Sequence, residues 1–288
     1  MKHKKIKINL AKSAGFCFGV KRAIKIAKQI TTSDLRIEML GPIVHNEDVS
    51  REIEAGGVKT VKSIKEGKKR ALLIRAHGTP LKTIQKAKAL GYKIIDATCP
   101  MVKEIHKIAI NMEQKNYRII VIGDKDHAEV KGIIGHLEKK ALVIENEKTV
   151  PTKNIKKIKK ACVVVQSTQN TRTVEKIIVL LKQSIKDLKF FNTVCQTTRT
   201  KQTEIRTMPL ENDVMFIIGS KNSANTKRLY EISKSINNKS YWIQSDNDIR
   251  KNYLIGYNNI GITAGASTPD STTKKIIEKI RKLTAKAK

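Results

Sequence analysis

The chain reads as an α/β protein of three repeated αβα modules, each a parallel sheet covered by helices. Three observations predict this. Apolar runs of strand length alternate with stretches of helical periodicity along all 288 residues, the pattern of parallel strands joined by crossover helices. Three strand-like phrases each deliver a cysteine: Ile8-Asn9-Leu10 running into Gly15-Phe16-Cys17, Ile94-Ile95-Asp96-Ala97-Thr98-Cys99-Pro100, and Phe190-Phe191-Asn192-Thr193-Val194-Cys195. Each cysteine is followed by a glycine 24 residues on (Gly41, Gly123, Gly219), a polar residue at 28 (His45, His127, Ser223) and Glu47, Glu129 or Asn225 at 30. Agreement in register three times points to an internal triplication. The modules are 17–98, 99–194 and 195–288 plus 1–16.

In the first module Val20, Ala23, Ile24, Ala27 and Ile30 share one face of a helix after Cys17. Residues 37–40 form a strand, and a short helix from about Asp48 stops at Gly56-Gly57. Strands at 58–61 and 71–74 follow, the second emptying into Arg75-Ala76-His77-Gly78-Thr79-Pro80. Thr79 as N-cap and Pro80 at the first helical position predict a helix ending near Gly91. The second module retraces this path. Val102, Ile105, Ala109 and Met112 line a helix, strands lie at 118–122, 141–144 and 162–165, and Val174, Ile177, Ile178 and Leu181 line another helix. The third has a weaker opening helix, strands at 214–218, 240–243 and 260–263, and helices at 226–236 and around Ile276 to Leu283. No strand follows that last helix, so residues 6–10 must complete the module.

Lysine and arginine total 58 against 26 acidic residues, a net charge of +32. Such a balance suits an acidic ligand, an acidic protein partner or nucleic acid, or else lysines on solvated faces. Aromatic residues are 4% and form no base-stacking motif, which disfavours nucleic acid. The basic opening Met1-Lys2-His3-Lys4-Lys5 leads into no signal-peptide core. No run approaches the ~18 apolar residues of a membrane helix. A soluble, cytoplasmic protein is expected, in which cysteines serve as ligands or nucleophiles rather than disulfides.

Ligands of parallel α/β sheets bind outside the carboxyl ends of the strands. Those ends carry the three cysteines and six polar loops, which a ring of three modules would turn toward one centre. Three converging thiolates can hold zinc or an iron–sulfur cluster; zinc would want a fourth ligand, and the long spacings match no compact cysteine signature. His45, His77, His127, Ser223, Asn225 and Ser267 offer donors, several beside helix N-termini that favour anions such as phosphate. His106 and His136 lie on helices and read as packed or solvated, and Cys162 between valines reads as a buried apolar thiol.

Several dispersed motifs resemble the LytB/IspH family. They are Gly15-Phe16-Cys17-Phe18-Gly19-Val20, His45-Asn46, Ala76-His77-Gly78, Asp96-Ala97-Thr98-Cys99-Pro100, His127-Ala128-Glu129-Val130, Gly219-Ser220-Lys221-Asn222-Ser223 and Thr263-Ala264-Gly265-Ala266-Ser267. The family is 4-hydroxy-3-methylbut-2-enyl diphosphate reductase, and the resemblance covers essentially the whole chain. It implies a trefoil of three modules around a central [4Fe-4S] cluster, one per chain, with Cys17, Cys99 and Cys195 as ligands and one iron left open. It implies that His45, His77, His127, Ser223, Asn225 and Ser267, with the backbone N–H of Ala224, hold a diphosphate. Glu129 would supply protons and Ser167 relay them, and reduced ferredoxin or flavodoxin would supply electrons. The sequence departs from the family pattern at Ala224 (usually Ser), Ser167 (usually Thr) and Ala128 (usually Pro), the last predicting a looser loop. Two other classes stand beside this reading: a zinc-stabilised RNA-binding protein and an iron–sulfur electron carrier without a substrate.

Overall fold

The structure, a computed structural model, describes residues 6–30, 35–66 and 69–285. The basic opening, His3 included, lies outside the described residues. After strand β1 (Lys7–Leu10) and helix α1 (Phe18–Ile30) come β2 (Arg36–Leu40), α2 (Glu47–Ala55), β3 (Lys59–Val61), β4 (Arg70–Ile74), α3 (Leu81–Ala89) and β5 (Lys93–Asp96). Strands β2 to β5 make a sheet in the order β3-β2-β4-β5. Helix α4 (Pro100–Gln114) leads to β6 (Arg118–Ile122), α5 (Ala128–Ile134), β7 (Leu142–Ile144), the single turn α6 (Thr152–Ile155), β8 (Lys160–Val165), α7 (Thr171–Ser184) and β9 (Asp187–Phe190). Their sheet has the order β7-β6-β8-β9. Helix α8 (Gln196–Glu211) then opens the last stretch, with β10 (Val214–Ile218), α9 (Ala224–Ile236), β11 (Ser240–Ile243), β12 (Asn259–Ala264) and α10 (Asp270–Ala285).

The third sheet has the order β1-β12-β10-β11, and the N-terminal strand pairs in parallel with β12, Lys7 opposite Asn259 and Leu10 opposite Ile262. All strand pairings are parallel. One topology therefore occurs three times, and the strand that leads to a cysteine is an edge strand each time. By packing, the chain divides into two compact units. The smaller holds Met1–Cys17, His45–Glu47 and Gln196–Lys288; the larger holds Phe18–Val44 and Asp48–Cys195.

The middle sheet shows how the sequence builds these layers. Ile120, Ile122, Val163 and Val165 point to one face and pack on Val174, Ile177 and Leu181 of α7. Their neighbours Ile119, Val121, Cys162 and Val164 point to the other and pack on Ile105 and Ala109 of α4 and Val130 and Ile133 of α5. Strands covered on both faces must be apolar at every position, hence the unbroken valines and isoleucines. Each such side chain contributes roughly 1.5–3 kcal/mol when fully buried.

Three elements differ from the sequence expectation. Helix α3 begins at Leu81 with Pro80 as its N-cap and no side-chain cap bond, so Thr79 does not cap it. Pro80 instead offers its carbonyl to Thr83 and Ile84, while the Leu81 N–H donates to Gly135. Helix α9 begins at Ala224, earlier than expected, because Ser223 caps it. The opening helix of the last stretch is not weak: α8 runs for 16 residues. Its inward face includes Thr198, Lys201 and Gln202, polar residues that apolar periodicity cannot detect.

Candidate active site

Each cysteine of the repeat is fixed in the same way. The Cys99 amide donates to the Ala76 carbonyl at 3.0 Å, Cys195 to Ser167 at 3.0 Å and Cys17 to Ala266 at 3.1 Å. The acceptor is in every case the second residue past the neighbouring strand, β4, β8 or β12. All three cysteines are half-buried, whereas Cys162 is fully buried in β8, and burial pushes its thiol up to about 12.

The repeat glycines are the first residues after β2, β6 and β10, and close packing requires them. A Cβ on Gly123 would lie 2.7 Å from Val130 and 2.8 Å from Gln166. One on Gly219, whose φ is +149°, would lie 2.6 Å from Thr226 and 2.8 Å from Thr268. The loops these glycines open are thereby pressed against the loops after β8 and β12.

In the larger unit, His127 is the N-cap of α5, and its Nδ1 accepts from the Glu129 N–H at 3.2 Å. That bond makes Nδ1 an acceptor, so in the neutral imidazole the proton sits on Nε2. Ala128 occupies the first position of α5, where the family proline would also fit, and the His127 cap forms without it. The His77 ring meets His127 edge to face at 5.4 Å. Behind it, a Cβ on Gly78 would lie 3.1 Å from the His106 ring, so His106 packs under the His77 loop. Burial depresses His106 to about 4, and its ring stays neutral.

Glu129 is 1% exposed. Its two carboxylate oxygens accept from the Ser167 N–H at 2.5 Å and the Ser167 hydroxyl at 2.8 Å. Burial pushes this carboxyl up to about 7, against the two hydrogen bonds, which act in the other direction. Glu129 and Ser167, which the resemblance joins in one proton relay, are hydrogen-bonded to each other.

In the smaller unit, the Ser267 hydroxyl donates to the His45 carbonyl at 3.0 Å. The Ser223 hydroxyl oxygen accepts from the Thr226 N–H at 3.3 Å, which leaves its proton to be donated elsewhere. Ala224 and Asn225 form the first turn of α9, and the Asn225 side chain is 4% exposed with no partner for Nδ2 among the described residues. A buried amide donor without a partner marks a place where a ligand is expected. Glu47 is exposed and accepts from Ser220 at 2.8 Å and Asn222 at 3.4 Å.

Two further residues escaped the sequence reading. Gln166 accepts from the Asp124 N–H at 2.8 Å and donates to Thr168 at 2.9 Å, bracing the loop that holds His127. Arg75 lies beside Gly41, and its buried Nε has no partner among the described residues. Both are the first loop residue after a third strand of the repeat, a position that the cysteine register does not mark.

Fold and loops together define a parallel α/β protein whose strand ends carry thiols, imidazoles and a buried carboxyl. The chain belongs to the LytB family: the "LytB protein" family profile matches residues 8–281. It is 39% identical over 281 residues to a 4-hydroxy-3-methylbut-2-enyl diphosphate reductase of Campylobacter lari, covering 97% of this chain and 99% of that one. It is likewise 39% identical to the reductase of Caldanaerobacter subterraneus subsp. tengcongensis, covering 96% and 98%. Among solved structures, the Plasmodium falciparum diphosphate reductase matches with a TM-score of 0.88 at 27% identity, covering 95% of this chain and 87% of that one. A second reductase structure, titled the terminal enzyme of the non-mevalonate pathway, matches with a TM-score of 0.70 at 34% identity, covering 96% and 99%. Among the described residues no helix is long and apolar enough to cross a membrane.

Proposed function

We propose that this chain reduces 4-hydroxy-3-methylbut-2-enyl diphosphate to isopentenyl and dimethylallyl diphosphates. The reaction consumes two electrons and two protons. The C–O bond to the hydroxyl breaks, one proton completes the departing water, and the other forms the new C–H bond. The Glu129–Ser167 pair carries this reading. A buried carboxyl at about 7 exchanges its proton readily around neutral pH, and Ser167 extends it with a hydroxyl that both accepts and donates.

Cys17, Cys99 and Cys195 fit an iron–sulfur cluster: half-buried, equivalently placed, and of the ligand type such clusters take. Cys162 does not fit, because a thiol pushed up to about 12 resists forming the thiolate. The three would hold one [4Fe-4S] cluster per chain with one iron lacking a protein ligand. Such a cluster would pass the two electrons, one at a time, from an external reductant to the substrate.

The diphosphate would be held by His45, His77, His127, Ser223, Asn225 and Ser267. His127 is already set to donate from Nε2, and Asn225 has a buried amide to give. The Ala224 N–H lies in the first turn of α9, where backbone donors are unsatisfied by the helix itself and favour an anion. Ala224→Ser restores a hydroxyl there. We expect it to lower the dissociation constant for inorganic pyrophosphate several-fold, within the roughly 1.5–3 kcal/mol of a hydrogen bond to a charged group. An unchanged constant, measured by calorimetry, would show that the backbone donor suffices.

The electron donor would be an acidic one-electron carrier of the ferredoxin or flavodoxin type, for which the charge of +32 suits encounter. Phe18 and Met101, each within two residues of a proposed ligand, are 70% and 47% exposed and give such a carrier apolar contact. Anaerobically purified protein given substrate and reduced methyl viologen is expected to release both diphosphate products. Protein that contains iron and sulfide yet forms neither product would overturn the reading.

A further inference from the structure

The segment that brings Cys17 to its place differs from the other two. Cys99 follows the end of β5 by three residues and Cys195 the end of β9 by five, but Cys17 follows the end of β1 by seven. A longer tether leaves more backbone freedom to be suppressed before the thiol is placed. Residues of α8 supply that restraint.

Lys201 is 1% exposed, and it heads the fully buried side chains by volume. Its ammonium donates to the Ser13 carbonyl and, at 3.0 Å, to the Ala264 carbonyl. Glu204 stands three residues on, on the same helical face. Its carboxylate accepts from the Lys12 N–H at 2.5 Å, the Ser13 N–H at 3.1 Å and the Ser13 hydroxyl at 2.5 Å. The cation thus takes the carbonyl side of the tether and the anion takes its N–H side. Lys201 also joins the tether to the end of β12, two residues before Ala266, the acceptor of the Cys17 amide. Past the clip, Gly15 at φ +90° turns the chain against Asp270, with no room for a Cβ.

We propose that Lys201 and Glu204 form a clip on α8 that positions Cys17 as a cluster ligand. The inference rests on the reading of Cys17, Cys99 and Cys195 as ligands. Burying an ammonium is costly unless its donors are satisfied, and a purely structural helix face could fill the same space with methionine. Here the charge acts on the tether of one cysteine. Outer-shell partners of metal ligands are commonly worth about 10–100-fold in metal retention.

The test uses the anaerobically purified holoprotein exposed to an iron chelator. Samples taken over time are alkylated, and each cysteine is followed by peptide mass spectrometry alongside the loss of visible absorbance. In Lys201→Met, absorbance is expected to decay ~10-fold or more faster, with Cys17 alkylated ahead of Cys99 and Cys195. Lys201→Arg, which keeps the charge and its N–H donors, should restore the parental decay. Glu204→Gln is half-buried and less demanding of the fold, so it gives the same readout if Lys201→Met does not accumulate; Cys17 should again be released first. Decay at the parental rate, or release of all three cysteines together in these variants, would overturn the clip. A parent in which the cluster protects Cys99 and Cys195 but not Cys17 would instead overturn the ligand reading on which the clip rests.

Discussion

Serine at Cys17, Cys99 or Cys195 is expected to give a colourless protein with no turnover above background, while Cys162→Ser keeps both colour and rate. The difference follows from position. The first three sit just beyond edge strands, half-buried, each with its amide tied to the loop of the adjoining strand. A serine hydroxyl there keeps the backbone bond but replaces a soft thiolate with a poor ligand for iron. Cys162 is enclosed by apolar neighbours of β6, α4 and α5. Its serine variant would bury a hydroxyl among them, at a cost of about 1–3 kcal/mol of stability, with no direct effect on the cluster. Iron and sulfide analysis with absorbance spectra, done anaerobically on each variant, decides the matter. A colourless, iron-free Cys162→Ser, or a fully coloured variant at one of the other three, would overturn the assignment.

Much of the fold was legible because fully covered strands have no choice of residue. Residues 119–122 and 214–218 are apolar at every position since both faces are buried, and short apolar runs bounded by Gly or polar loops read as strands. Helix α8 was underrated for the opposite reason. Its inward face carries Thr198, Lys201 and Gln202, and the burial of Lys201 rests on carbonyls far away in sequence. The starts of α3 and α9 turned on local hydrogen bonds that a residue-type rule cannot rank. Pro80 rather than Thr79 offers the terminal carbonyl, and Ser223 caps α9 two residues ahead of the expected start.

The site was legible in the register of the repeat, but that register mixes two causes. His127 and Ser223 occupy N-cap positions, so part of the recurring polar signal is helix capping rather than ligand binding. The capping bond has its own consequence for function, because it sets which nitrogen of His127 bears the proton. What the sequence could not show is burial. Glu47 and Glu129 hold the same place in the repeat, yet one is exposed and bonded to Ser220 while the other is enclosed with Ser167. Enclosure is what raises the Glu129 carboxyl and fits it to hold a proton.

Glu129→Gln is expected to slow turnover ~100-fold or more, the scale of general-acid help, while the protein keeps its cluster and its affinity for pyrophosphate. The amide preserves the shape, and its oxygen can still accept one bond from Ser167, but it has no proton of the right acidity to give. The pH dependence makes the test specific. With the carboxyl at about 7, the protonated donor dominates below neutrality, so the wild-type rate should hold on the acid side and fall as pH rises through about 7. The glutamine variant should lack that limb. Stability shifts in a related way. In the unfolded chain the carboxyl titrates near its ordinary value of 4.5, so between 4.5 and about 7 the folded state binds more protons. Its contribution to stability therefore declines as pH rises across that window, and no further change follows above it. Thermal unfolding of wild type and variant, compared from pH 5 to pH 8, should show this decline in the wild type alone. A helix-terminal role for Glu129 predicts a small loss of stability in the variant with a near-normal rate. Near-normal turnover with the alkaline limb intact would remove Glu129 from the reaction.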